Sequence, residues 1–157
     1  MPTTSFRLHT PVGAEHAWRY VRDYANVPEW DAGVRSVEAL DQGDAWAVTL
    51  ARWPALRLTH HRDCDDAPWD GSPRVVRFMA TNHDATVRME EVFTVCAAPL
   101  GTEVTYTMQL GMGGWRRLPC VGAAVWVHLR SEAARTQERL AQRLVVAASA
   151  REAVLDV

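Results

Sequence analysis

The chain contains no lysine: all 17 of its basic residues are arginine. Codon usage is explanation enough for that bias, but it removes lysine Schiff-base chemistry from consideration. Cysteine is scarce, and Cys64, Cys96 and Cys120 are odd in number and scattered, which suits reduced thiols better than a disulfide framework. No apolar run approaches the roughly 18 residues of a membrane span, and the opening MPTTSFRLHT has no apolar signal core, so the expected location is the cytoplasm. A net charge of −2 without a long run of one sign gives no electrostatic reason to expect nucleic acid. The glycines of GMGGWRR lack both the Lys-Ser/Thr of a phosphate loop and the dinucleotide fingerprint. His60 and His61 fall on opposite faces of any strand, so with Cys64 they do not make a zinc site, and no metal is expected. No Ser-His-Asp triad can be assembled without arbitrary choices.

What the chain does have is enough length, 157 residues, for one domain with its own core, read here as spanning 1–157. Apolar residues make up 48% and charged residues 23%, close to the globular average. Its seven tryptophans are a surplus that either fills a core or lines an apolar pocket.

SFRLHT alternates with period two, as a half-buried strand does. In PVGAEHAWRYVRDYANV the period becomes helical, with Ala14, Ala17, Trp18, Val21 and Tyr24 on one side; Pro28 cannot continue that helix, and Trp30 follows on a turn. Strand periodicity returns in VRSVEAL, AWAVTLARW, ALRLTHHRD, RVVRFMAT, TVRMEEVFTV and TEVTYTMQL, joined by short turn-rich segments, which predicts an antiparallel sheet of seven strands. From just after Pro119 to Ala150, Val121, Val125, Leu129, Ala133, Thr136, Leu140 and Leu144 form a stripe at helical spacing. A helix of some 30 residues is about 45 Å long. Its one sensible burial site is the concave face of a curved sheet, so the expected class is α+β.

This order, together with AWRYVRDYANVPEWDAGVRSVE, resembles the helix-grip fold of the START and Bet v 1-like superfamily (SRPBCC), in particular its polyketide cyclase/dehydrase branch. Trp18, Asp23, Pro28 and Trp30 look like that branch's first-helix and turn residues, and GTEVTYTMQL looks like its last-strand Gly-Thr-x-Val-x-Tyr element. The resemblance implies two short helices gripping one end of the sheet, with the Trp30 turn closing that end of an internal cavity. PEWD is then mainly structural, Trp30 a packing plug and Asp31 a turn residue, with ligand contact by Trp30 the less favoured alternative.

Alternation places Leu56, Leu58, His60 and Arg62 on one face of their strand, and Val87, Met89, Glu91, Phe93 and Val95 on one face of another. Glu91 is the notable placement, because an acid between Met89 and Phe93 is desolvated unless paired, and burial raises a carboxyl toward the range useful for acid–base work. Tyr106 shares a face with Val104, Met108 and Leu110, and His128 lies near the edge of the long helix's apolar stripe. The candidate catalytic set is Arg62, Glu91, His60 and Tyr106. The expected apolar lining is Leu56, Leu58, Phe78, Met89, Phe93 and Met108 from the sheet, Val125, His128 and Leu129 from the long helix, and Trp30. The structural alternatives are an Arg62–Glu91 ion pair without chemistry, or a one-residue slip that exposes Glu91. LRLTHHR also resembles the Trp-x-Trp-x-x-x-Arg strand of aromatase/cyclases, with Arg62 matching and Leu56 and Leu58 at the tryptophan positions. That departure points away from a flat polyaromatic substrate and leaves an apolar ligand as the expectation.

The leading expectation is a cofactor-free protein that holds a small hydrophobic, polyketide-like molecule and cyclises or dehydrates it. Arg62 would stabilise an enolate, Glu91 or His60 would move the proton, and Tyr106 would orient a carbonyl. An acyl carrier protein is a candidate partner. The competing class is a carrier of lipid or isoprenoid without chemistry; a third is a subunit that modulates a partner through its sheet or the Trp115 loop.

Overall fold

The alternation in RVVRFMAT carries straight into three dimensions: Arg74, Val76, Phe78 and Ala80 are buried while Val75, Arg77, Met79 and Thr81 between them are exposed. In the computed structural model, which describes residues 3–40, 43–53, 56–113 and 119–155, seven such segments form strands. Within the last helix, side chains are described only at Val127 and over 131–150. The strands are β1 (Thr3–Thr10), β2 (Val34–Leu40), β3 (Ala45–Leu50), β4 (Arg57–Cys64), β5 (Arg74–Thr81), β6 (Val87–Ala98) and β7 (Gly101–Met112). They make one open antiparallel sheet in the order β1-β7-β6-β5-β4-β3-β2. Strands β2 to β7 succeed each other as neighbours, and β1 closes on β7, the arrangement of the helix-grip fold.

Between β1 and β2 lie α1 (Ala14–Val21), a 3-10 turn (Tyr24–Asn26) and α2 (Val27–Trp30). The expectation that Pro28 leaves Trp30 on a plain turn needs correction. Pro28 occupies the first turn of α2, where the missing N–H has no intrahelical partner to lose, so it starts a helical turn that runs to Trp30. Asp23 accepts from the Ala25 N–H at 3.0 Å to open the 3-10 turn, and Asp31 accepts from the Gly33 N–H at 2.7 Å to turn the chain into β2.

The long helix α3 (Pro119–Leu155) begins where expected and runs five residues beyond Ala150. It packs against β1, α1 and α2, with Leu140 and Leu144 fully buried and Ala133 and Thr136 half-buried. Gln137 ties it to the sheet edge by donating to the Arg7 carbonyl at 2.8 Å. The side chains of Val121, Val125, His128 and Leu129, and the Trp115 loop, lie outside the described residues.

The GTEVTY element is explained residue by residue. Gly101 has φ +132°, and a Cβ there would meet the Thr10 carbonyl oxygen at 2.1 Å. Thr102 donates its hydroxyl to the Val12 carbonyl at 2.6 Å, joining β7 to the segment that leads into α1. Val104 is wholly buried, and Tyr106 reaches the interior acid described below.

Candidate functional site

Over the inner face stands a continuous aromatic layer. Tyr24 packs on Phe78 at 4.7 Å between ring centroids, Phe78 on Trp46 at 5.9 Å and on Phe93 at 6.3 Å, and Phe93 on Tyr106 at 4.7 Å. Trp30 covers this layer edge-on, 5.9 Å from Phe93 and 6.3 Å from Tyr106. Trp30 is 2% exposed, so it is a plug in the packing sense, and its buried indole N–H has no hydrogen-bond partner.

Inside that apolar layer sits one polar cluster. Glu91 is 2% exposed and accepts from two phenols, Tyr24 at 2.5 Å on Oε2 and Tyr106 at 2.6 Å on Oε1. His60, fully buried, brings Nε2 to 2.9 Å from the Tyr24 hydroxyl and 3.4 Å from Glu91 Oε2. Register brings them together: Phe78 lies beside Glu91, Tyr106 beside Phe93, and Ala80 beside His60. Strand β6 keeps an unbroken register with both neighbours, so no slip turns Glu91 outward; among the described pairings the irregularity falls in β2, between Val34 and Ser36.

Burial pushes the Glu91 carboxyl up, but the hydrogen bond and charge of His60 and the bonds from Tyr106 and Tyr24 outweigh it, and the net shift is downward. Burial, reinforced by the negative charge on Glu91, holds both Tyr24 and Tyr106 well above the usual phenol value. The cluster is therefore an acid held below its ordinary value by an imidazole and two phenols. At the C-terminus of α2, the half-buried Asp31 is pushed up to about 6, chiefly by burial and with help from Glu91 and Glu132, against the Gly33 N–H and Arg139.

Of the sequence-derived catalytic set, the fold gathers Glu91, His60 and Tyr106 and leaves Arg62 out. Its guanidinium bonds Asp44, approaches Asp66 at 3.8 Å and lies over the Trp46 ring at 5.9 Å. The envisaged Arg62–Glu91 pair is thus corrected: both residues face inward, but Phe78 stands between them in register and each charge has other partners. Tyr24 was missed because it read only as an apolar helix position. The signal that could have found it was chemical, since a buried carboxylate needs donors and a buried phenol needs an acceptor.

The apolar set divides by burial. Leu58, Phe78 and Phe93 are core, whereas Leu56, Met89, Met108 and Leu110 are half-buried and packed against it. Along the β6–β7 ladder, burial falls from Phe93/Tyr106 through Glu91/Met108 to Met89/Leu110. Met89, Met108 and Leu110 therefore make a half-buried apolar shelf next to the acid, beyond which Val87 is buried again. A separate cavity of about 470 Å³, lined by His9, Thr10, Pro11, Ala98, Pro99, Leu100 and Thr102, lies at the rim by the β6–β7 turn, away from this shelf.

Residues 1–145 match the family described as polyketide cyclase / dehydrase and lipid transport. The chain belongs to this family. None of the curated proteins matches its sequence. Among solved structures, TTHA0849 from Thermus thermophilus is similar with a TM-score of 0.70 at 16% identity, over 93% of this chain and 99% of that one. A START superfamily protein from Mycobacterium smegmatis gives 0.60 at 12%, over 90% and 96% of the two chains. Ara h 8.0201 gives 0.58 at 13%, over 92% and 97%. At these identities the likeness is one of fold, and with the family it makes this polyketide cyclase/dehydrase-family chain a helix-grip protein for hydrophobic ligands. No helix among its described residues is long and apolar enough to cross a membrane.

Proposed function

We propose that the protein takes up a small hydrophobic, polyketide-like molecule on the shelf of Met89, Met108 and Leu110 and catalyses its cofactor-free cyclisation or dehydration. The observation that carries this reading is the buried acid. A pure carrier needs only apolar lining, whereas ionising a carboxyl inside an aromatic layer costs several kcal/mol before its bonds offset it, roughly as for other buried charges. Here that acid adjoins Met108 across the ladder and touches an imidazole, which supplies a proton-transfer pair at the edge of an apolar surface. Glu91 and His60 manage the proton, while Tyr24 and Tyr106 fix the carboxylate. Arg62, committed to Asp44 and Asp66, has no part in it. An acyl carrier protein is the candidate source of the molecule, and the cytoplasm its expected location.

A second reading, a lipid or isoprenoid carrier, draws on a specific observation: both Glu91 oxygens are already occupied by phenols, as in a purely structural network. Native mass spectrometry of the purified protein identifies the class of any retained molecule. Product formation by Glu91→Gln then separates the readings, because Gln keeps the shape and removes the charge. Loss of turnover with ligand still retained supports the enzyme, and full turnover in that variant removes Glu91 from the mechanism.

A further inference from the structure

Asp31, at the end of α2, has less company than a half-buried carboxylate needs. Its Oδ1 accepts from the Gly33 N–H at 2.7 Å, and among the described residues no arginine comes within ion-pair distance of it. An ionised carboxylate has about four acceptor sites to fill. Acids face it from two sides, Glu91 on β6 and Glu132 on α3, against the cation of Arg139 on α3. Tyr24 and Tyr106 also feel its charge, but both are neutral phenols committed to Glu91. Of the charged residues nearby in sequence, Arg35 and Glu38 on β2 are exposed, and Glu29 on α2 is exposed and accepts from Tyr20 at 2.8 Å. The position of this acid is as telling as its partners. Trp30, one residue before it, covers Phe93 and Tyr106, while α2 packs on its other side against α3. Within the four residues of α2 only Val27 and Trp30 are buried, so little apolar contact holds this turn, and local opening is drawn from such segments.

We propose that Asp31 is the catch of a proton-operated cover: while it is protonated, α2 and Trp30 stay seated between the aromatic layer and α3, and its ionisation loosens them and uncovers Tyr106 and Glu91. Its use as a control of ligand entry rests on the reading that a molecule is taken up beside Glu91. The sign follows from linkage. Burial and the two facing acids push the Asp31 carboxyl up from 3.8 to about 6 in the closed fold. The closed form therefore holds the proton more tightly than an opened one, in which water reaches the acid. Opening is favoured as pH rises from the ordinary value toward the closed one, and levels off above it. Glu91 acts the other way, and its lowered carboxyl confines its effect to pH values at or below its ordinary 4.5.

Trp30 supplies the readout. Its indole N–H is buried without a hydrogen-bond partner, so exchange of that hydrogen waits on the cover opening and not on the breaking of a bond. The test is hydrogen exchange at this N–H, followed by NMR in the intact protein and in Asp31→Asn at pH 5 and pH 7. Dividing the parent rate by the variant rate at each pH cancels the chemical pH dependence of exchange and the effect of groups common to both proteins. The ratio is expected to rise roughly tenfold from pH 5 to pH 7, as linkage gives for a carboxyl that returns to its ordinary value on opening. A ratio that is equal at the two pH values, or that falls, overturns the proposal. Asp31→Ser, a second neutral residue able to accept from the Gly33 N–H, repeats the comparison. Backbone amides of the central strand β6 report unfolding of the whole sheet. An opening constant at Trp30 no larger than theirs at pH 7 means that the cover moves only with the entire fold, and this also overturns the proposal. The measurement needs no ligand, so its failure counts against the cover alone, while ligand retention tests the binding reading separately.

Discussion

Glu91 on β6 and Arg62 on β4 lie in one line across the inner face, with only Phe78 between them in register, yet the fold accommodates the two charges by opposite means. The Glu91 side chain is 3% exposed and its partners are buried, two of them neutral phenols. Arg62 is 15% exposed, but its carboxylate partners Asp44 and Asp66 are 65% and 67% exposed. Water screens the second arrangement and hardly reaches the first. An ion pair reaching into solvent is worth about 0 to 1 kcal/mol, whereas stripping the partners from a buried charge costs about 3 to 5. The interior acid is therefore where a substitution should be felt, and the arginine, although charged and inward-facing, is where it should not.

The largest effect expected is that of Glu91→Leu. Two phenols and an imidazole lose their common acceptor in a space closed to water, and urea unfolding should show a loss of about 3 to 5 kcal/mol. A loss below about 1 kcal/mol would place the acid in the same class as Arg62 and erase the contrast. Next comes Tyr106→Phe, which deletes one donor at a cost of about 1 to 2 kcal/mol. It also changes the acid limb of stability. The folded carboxyl of Glu91 lies below its ordinary value, so its contribution is present above that value and disappears as pH falls through the folded one. Removing a donor raises the folded value, and acid unfolding of Tyr106→Phe should begin at higher pH than in the parent.

How far these positions could be read from sequence follows from the same contrast. Period-two alternation is a backbone property, and it placed Glu91, His60, Arg62 and Tyr106 on the inner face because the strands that carry them keep register. What alternation cannot supply is where a long side chain ends. Arg62 has enough reach to leave the inner face for Asp44, which belongs to the β2–β3 connection, and for Asp66, beyond the end of its own strand. Tyr24 had the opposite problem: its helical spacing was visible, but its partner lies 67 positions away, at Glu91. Pro28 misled because the same residue that ends one helix is well suited to the first turn of the next.

A third and smaller effect concerns the edge of the buried region. Asp31 has an ordinary value of 3.8 and is held at about 6 in the fold, chiefly by burial. A carboxyl raised on folding favours the folded state while protonated, so its benefit is full below the ordinary value and is lost as pH rises through the folded one. Asp31→Asn keeps an acceptor for the Gly33 N–H and removes the charge. The variant should match the parent near pH 4 and exceed it at pH 7 by about 1 kcal/mol, read as a higher melting temperature. Equal melting temperatures at both values would show that Asp31 is as well solvated as Asp44.

The smallest effect belongs to Arg62→Met, and it bears most directly on the contrast. The substitution removes a solvent-facing ion pair but keeps an apolar stem against Trp46, so the expected loss is at most about 1 kcal/mol. Ligand retention should be unchanged, because the guanidinium does not reach the shelf residues or Glu91. The sharper measurement is a double-mutant cycle with Glu91→Leu. Two strand spacings separate the residues, roughly 10 Å, and they share no bonding partner, so their costs should add to within about 0.5 kcal/mol. Rescue of the Glu91→Leu loss by Arg62→Met would instead mean that the two charges are energetically paired across Phe78. The interior acid would then depend on the arginine after all, and the assignment of its stability to Tyr24, Tyr106 and His60 would fail.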